Sequence, residues 1–332
     1  MFRVWMEFLI SAALIIWAGT SLTKNADLIA EKTGLGTIWA GALLLPLVTS
    51  LPEIITSWRA AVINAPDLAL GNVFGSNMFN VAIIALVDLL SPGPPVLRQV
   101  KTGHILTAGM AIALTSFITV NIMLPYTRSF LGVGLEGWFV LMFYLAGTRL
   151  LMRYEKRYPV LKGDVSSSHL RGKSIYHGLL GFILAGAVIM FAGTRLADTG
   201  KIISHETGLG ETLVGTILIA IVTSLPELVT TASAARMGLP DMAIGNIFGA
   251  NFLNLLIVFF ADMFYRPGPI LKEVSIGHLF TAQISIFLMA LAIIGLIYRS
   301  KKTVARLGLD SIAIILTYLV TLIVLFYLGV PV

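Results

Sequence analysis

Cysteine is absent from the 332-residue chain, which excludes disulfides and thiolate metal ligands but assigns no compartment. Charge is scarce too. Asp, Glu, Lys and Arg make up 12% of the residues, about half the share in a soluble domain. With 57% of residues hydrophobic, too little polar side chain remains to form a water-facing surface. The five histidines include no His-Glu-x-x-His pair, and no Gly-x-x-x-x-Gly-Lys-Ser/Thr loop is present, so a metalloprotease and an ATP-driven pump are both disfavoured. No Ser/His arrangement for nucleophilic catalysis stands out, and no enzymatic activity or cofactor is expected.

What the chain does hold is a series of apolar runs of roughly 20 residues, each long enough to cross a bilayer. It reads as an all-α polytopic membrane protein. The segment Met1 to Thr20 superficially resembles a signal peptide. However, Ala18-Gly19-Thr20 matches Ala192-Gly193-Thr194, at an offset of 174 residues deep in the chain, so it is expected to be a first span.

The same offset recurs throughout. Thr49-Ser50-Leu51-Pro52-Glu53 matches Thr223-Ser224-Leu225-Pro226-Glu227, and Gly71-Asn72-Val73-Phe74-Gly75-Ser76-Asn77 matches Gly245-Asn246-Ile247-Phe248-Gly249-Ala250-Asn251. Residues 33–53 and 207–227 share 12 identities in 21 positions. Asp88 pairs with Asp262 and His104 with His278. The spacing implies a duplication with a shared fold.

Five spans per copy are expected, at about 5–27, 34–62, 67–90, 102–125 and 131–152, then about 176–201, 208–235, 241–264, 275–298 and 308–329. An odd number per copy turns the second copy upside down. The fold class is therefore ten transmembrane helices as two inverted five-helix repeats, residues 1–152 and 174–332, joined by a basic linker 153–173. On these spans, 16 of the 23 Lys and Arg residues fall on the side of the central linker and 7 on the other. The positive-inside rule then makes the linker cytoplasmic and both termini extracellular, in a cell (inner) membrane. The net charge of +6 reports topology rather than nucleic-acid binding.

Glu53 and Glu227 lie inside apolar runs, where an unpaired charge costs at least several kcal/mol. Proline in Thr-Ser-Leu-Pro-Glu removes a backbone donor and frees a carbonyl, here that of Val48 or Val222. Thr49 and Glu53, spaced i, i+4, are expected on one helix face. In the next span, Asn72, Ser76 and Asn80 form a polar stripe, Asn246, Ala250 and Asn254 its counterpart, and Asn77 falls off it. Gly71, Gly75, Gly245 and Gly249 have the spacing that lets helices approach closely. Asp67 and Asp241, following prolines, read as helix N-caps. Asp88 and Asp262 read as interfacial residues, and His104 and His278 as helix-start residues. Two carboxylates among neutral oxygens, without thiol or imidazole, suit a hard cation such as Ca²⁺ or Na⁺. Once Ca²⁺ leaves, the bare acids repel and need Na⁺ or H⁺ in its place, which is the physical basis of exchange.

On these paired motifs, which span essentially the whole chain, the sequence resembles the cation/Ca²⁺ antiporter superfamily, most closely its prokaryotic Na⁺/Ca²⁺ exchanger branch. The resemblance implies a single Ca²⁺ site flanked by Na⁺ sites, with Glu53 and Glu227 as central ligands. Thr49, Ser50, Thr223 and Ser224 would give hydroxyl or carbonyl oxygens, Ser76 a Na⁺ ligand, and Asn80 and Asn254 would complete the centre. Ala220 is the usual residue type at its place and would be a further ligand; Pro46, at the matching place, departs from it and would contribute at most a carbonyl. Ala250 departs from the serine expected opposite Ser76, and Asn254 stands where some members carry aspartate. The implied function is Ca²⁺ for Na⁺ exchange by alternating access, with the first and sixth helices sliding, in a protein that works as a monomer. A Ca²⁺/H⁺ antiporter on the same fold is the alternative, and a passive cation channel a third reading.

Overall fold

The structure, a computed structural model, describes residues 2–34, 36–90, 93–124, 128–157, 173–206 and 221–328. It is helical almost throughout. Helix α1 covers Phe2–Thr33, α2 Thr37–Thr49, α3 Leu51–Val62, α4 Pro66–Leu90, α5 His104–Met123 and α6 Leu135–Arg157. After the linker come α7 (Ile175–Glu206), α8 (Leu225–Arg236), α9 (Pro240–Phe264), α10 (His278–Tyr298) and α11 (Leu309–Leu328). Among the described residues, eight helices are long and apolar enough to span a membrane, and nine if α2 and α3 count as one span bent by 46°. The expected span at 208–235 is represented only by its second part, residues 221–223 and α8; its first part, Ala220 and most of the linker lie outside the described residues.

Burial separates centre from periphery. The most apolar stretches of α4 and α9 are 83% buried, whereas those of α1 and α11 are 22% and 28% buried. Helices α4 and α9 are buried on nearly every side and form the core, with Phe74, Phe248 and Phe252 among the largest fully buried side chains. The exposed faces of the outer helices carry large apolar residues such as Ile16, Trp17, Ile183 and Phe326, as a lipid-facing surface requires.

The close approach predicted from small residues is seen at α9. It lies against a π-turn in α2, Ala40–Leu44, in which Leu45 N donates to Ala40 O at 2.9 Å. A Cβ on Gly245 would sit 3.0 Å from Gly41 Cα, and one on Gly249 would run into the Ala42 carbonyl. Backbone touches backbone here, and only glycine allows it.

Short antiparallel hairpins at Ser129–Gly134 and Thr303–Gly308 precede α6 and α11, again 174 residues apart. Paired aspartates tie one half to the other. Asp88 accepts from Val96 N in its own half (2.7 Å) and from Ser311 Oγ (2.6 Å) and Gly308 N (3.4 Å) in the other. Asp262 accepts from Ile270 N (2.6 Å) and, across, from Gly134 N (2.7 Å). The interfacial reading of these two residues thus becomes a specific one: each carboxylate satisfies amides that apolar surroundings could not.

Asp241 corrects the N-cap expectation, since α9 carries no side-chain cap, and both it and Asp67 reach across to the other half. Asp241 takes Lys101 N at 2.8 Å and His104 Nε2 at 3.0 Å, both from the other half. Asp67 takes Ser275 N at 2.7 Å and lies 3.2 Å from His278 Nε2. The turn ahead of each partner helix brings a backbone donor that has no helical partner, and the carboxylate goes to it. His104 and His278 do begin helices, as expected, and both are fully buried.

Candidate functional site

The site forms where the bent span α2–α3 and the start of α8 meet α4 and α9. At the first break, Ser50 has φ −86° and ψ 9°; at the second, Ser224 has φ −86° and ψ 11°. Helical bonding resumes with Ile54 N to Ser50 O and with Leu228 N to Ser224 O, each 3.1 Å. Pro52 and Pro226 occupy the first turn of α3 and α8, where a missing N–H costs nothing. The proline therefore starts a helix instead of kinking one.

This break overturns one expectation. Thr49 and Glu53 do not share a helical face, because the chain changes direction between them. Each carboxylate instead meets hydroxyls of the opposite half. Ser224 Oγ donates to Glu53 Oε1 at 2.8 Å, and Ser50 Oγ donates to Glu227 Oε1 at 2.9 Å. Thr223 and Thr49 approach Glu53 and Glu227 in the same crossed sense. Thr49 Oγ1 also lies 3.2 Å from Leu45 O and 3.5 Å from Asn246 Oδ1.

Both glutamates are fully buried, and the second oxygen of each, Oε2, has no hydrogen-bond partner. Ser76 Oγ reaches Glu53 Oε1 at the long limit, 3.5 Å; the equivalent position is the buried Ala250, which offers nothing. Asn80 is buried with neither amide atom bonded, and Asn254 has an unbonded Oδ1. The structure thus gathers Glu53, Glu227, Thr49, Thr223, Ser50, Ser224 and Ser76 into one carboxylate–hydroxyl cluster. Asn80 and Asn254 stand one turn further along α4 and α9, and Ala220 lies outside the described residues.

Two pairs of residues do more than the sequence suggested. Asn72 Nδ2 donates to Glu53 O (3.1 Å) and Ser57 Oγ (2.9 Å), bracing the start of α3. Asn246 Nδ2 braces α8 through Thr230 Oγ1 and Thr231 Oγ1, both at 2.9 Å, and Glu227 O at 3.4 Å. Asn77 and Asn251 join α4 to α9: Asn77 Nδ2 donates to Asn251 O at 3.3 Å, and Asn251 Nδ2 to Asn77 O at 3.1 Å. Asn77 lies off the stripe of Asn72, Ser76 and Asn80. That position turns it toward the other half, and only its match at an offset of 174 could have signalled this.

Chemically, the site offers two carboxylates and a ring of neutral oxygens. Among the described residues, no group of three or more His, Cys, Asp or Glu side chains could hold a metal. A soft transition-metal centre is not built here; a hard, oxygen-preferring cation suits this donor set.

Comparison with known proteins extends the picture to the whole chain. The family described as sodium/calcium exchanger protein matches it twice, over residues 4–152 and 177–327. The sodium/calcium exchanger MaX1 of Methanosarcina acetivorans is 27% identical over 362 residues, covering 96% of this chain and 97% of its own. The inner membrane protein YrbG of Escherichia coli is 29% identical over 273 residues, covering 79% of this chain and 80% of its own. A solved structure of the sodium-calcium exchanger NCX_Mj superposes with a TM-score of 0.73 at 19% identity, over 97% of this chain and 99% of that one. The likeness to that structure concerns the fold.

Proposed function

The chain belongs to the sodium/calcium exchanger protein family, and we propose that it is a multi-pass secondary antiporter exchanging Ca²⁺ for Na⁺ at the Glu53–Glu227 centre. One observation carries the reading: two fully buried carboxylates, each held through one oxygen by a serine of the opposite half, each with its second oxygen unpartnered. Two formal charges neutralise one Ca²⁺. When it departs they must be neutralised again, because paired carboxylates in low dielectric repel.

In this reading Glu53 and Glu227 are the central Ca²⁺ ligands. Thr49, Ser50, Thr223 and Ser224 add oxygens, Ser76 serves Na⁺, Asn80 and Asn254 complete the centre, and Ala220 adds a carbonyl. The architecture is ten spans in two inverted five-helix repeats, 1–152 and 174–332, with the basic linker 153–173 cytoplasmic and both termini outside. Access alternates as α1 and α7 slide across the core. The pairing of α1 with α7 supports this, as does the contact of each through a glycine: Gly19 against Val229, and Gly193 against Pro52. Small residues present a smooth surface to the broken spans.

Proteoliposomes test the reading. ⁴⁵Ca²⁺ uptake driven by an outward Na⁺ gradient, and unchanged when the pH gradient is collapsed, is the expected result. Uptake that follows only the pH gradient would replace Na⁺ with H⁺, and flux without a counter-ion would make the protein a channel.

A further inference from the structure

The two asparagines expected to complete the centre are not equivalent, and the difference originates outside the centre. A side-chain amide has a donor end and an acceptor end of nearly the same shape. It helps a cation only when its oxygen faces inward; turned the other way, it presents two N–H groups. Inside a membrane protein, something must decide between these orientations.

For Asn254 that decision is made by Asn77. The Asn77 amide nitrogen is occupied by Asn251 O (3.3 Å), and Asn77 Oδ1 accepts from Asn254 Nδ2 at 3.0 Å. With its nitrogen held, Asn254 has its Oδ1 left buried and without a protein partner. The mirror arrangement would have Asn80 Nδ2 donating to Asn251 Oδ1. That bond is not made, for Asn80 Nδ2, Asn80 Oδ1 and Asn251 Oδ1 are all buried and unpartnered. One amide is oriented by a hydrogen bond and its counterpart makes none.

We propose that Asn77 is a positioning residue that fixes Asn254 as an oxygen donor to the transported cation. The proposal rests on the exchange reading of the Glu53–Glu227 centre. Asn77 itself touches no ion; it acts through Asn254. A carboxylate at 254 would need no such help, since both its ends are oxygens.

A double-mutant cycle with purified protein and ⁴⁵Ca²⁺ binding tests this without requiring transport. Asn77→Ala is expected to weaken Ca²⁺ binding about 2- to 12-fold, the range for one hydrogen bond. In an Asn254→Ala background, where no amide remains to be oriented, the same substitution is expected to change binding less than 2-fold. Asn77→Ser takes its place in the cycle if the alanine variant does not fold, and thermal unfolding reports any structural cost separately. Equal weakening in both backgrounds, or none in either, overturns the positioning role while leaving the exchange reading intact. Unsubstituted protein that binds no Ca²⁺ overturns both.

Discussion

Replacing Glu53 by glutamine changes charge and almost nothing else. The side chain keeps its length, and its Oε1 can still accept the Ser224 hydroxyl that lies 2.8 Å from the native carboxylate. No third acid among the described residues joins the pair to compensate. A bound Ca²⁺ would then carry one uncompensated charge in a fully buried site. Breaking a buried ion pair by removing one partner costs about 3–5 kcal/mol, and each 1.4 kcal/mol is tenfold in affinity. The expected loss of Ca²⁺ affinity in Glu53→Gln is therefore on the order of a hundredfold to a few thousandfold, with the same loss in Glu227→Gln. ⁴⁵Ca²⁺ uptake into Na⁺-loaded vesicles, titrated over Ca²⁺, measures it. Unfolding in the absence of divalent ion provides the control. It should be unchanged or higher in temperature, because a like-charge repulsion has been removed. Half-saturation within about threefold of the unsubstituted protein would refute the argument, since a charge worth several kcal/mol could not be removed so cheaply.

Other predictions concern the scaffold. Gly249→Ala should lower the unfolding temperature, at about 1–3 kcal/mol for overpacking, because its Cβ meets the Ala42 backbone; Gly109→Ala, with nothing within 4 Å of its Cβ, should not. Asp88→Ala strands the Val96 and Gly308 amides and the Ser311 hydroxyl, and should cost roughly 1–3 kcal/mol per orphaned group while leaving Ca²⁺ affinity unchanged. Asp241→Ala should destabilise more than Asp67→Ala, because the Asp241 side chain is 14% exposed and the Asp67 side chain 43%. Paired denaturation curves in detergent would show the difference.

Much of this architecture is written in the local sequence. Apolar runs located the long helices, and the offset of 174 located the paired acids. The Gly245–Gly249 spacing anticipated the backbone contact with Gly41 and Ala42. What eluded the sequence were contacts across the offset. Helical periodicity ranks residues by the face they share, so it puts Thr49 with Glu53 and leaves Asn77 off the stripe. The chain breaks at Ser50, and Asn77 reaches the other half. Asp67 and Asp241 mimic caps for the same reason: a local rule sees an acid after a proline, not the amide arriving from far along the chain. The π-turn at Ala40–Leu44 holds Gly41 and runs into Pro46, which has no N–H to give the carbonyl four residues back.

The crossed serines have a further consequence. Glu53 is served by Ser224, and Glu227 by Ser50. Cut between the repeats, the chain would yield two fragments, each carrying an acid and a hydroxyl that belongs to the other's acid. Neither fragment would own a finished centre, so assembly and the appearance of the site are one event. A protein synthesised from its N-terminus holds Glu53 without its serine donor until residue 224 has been made.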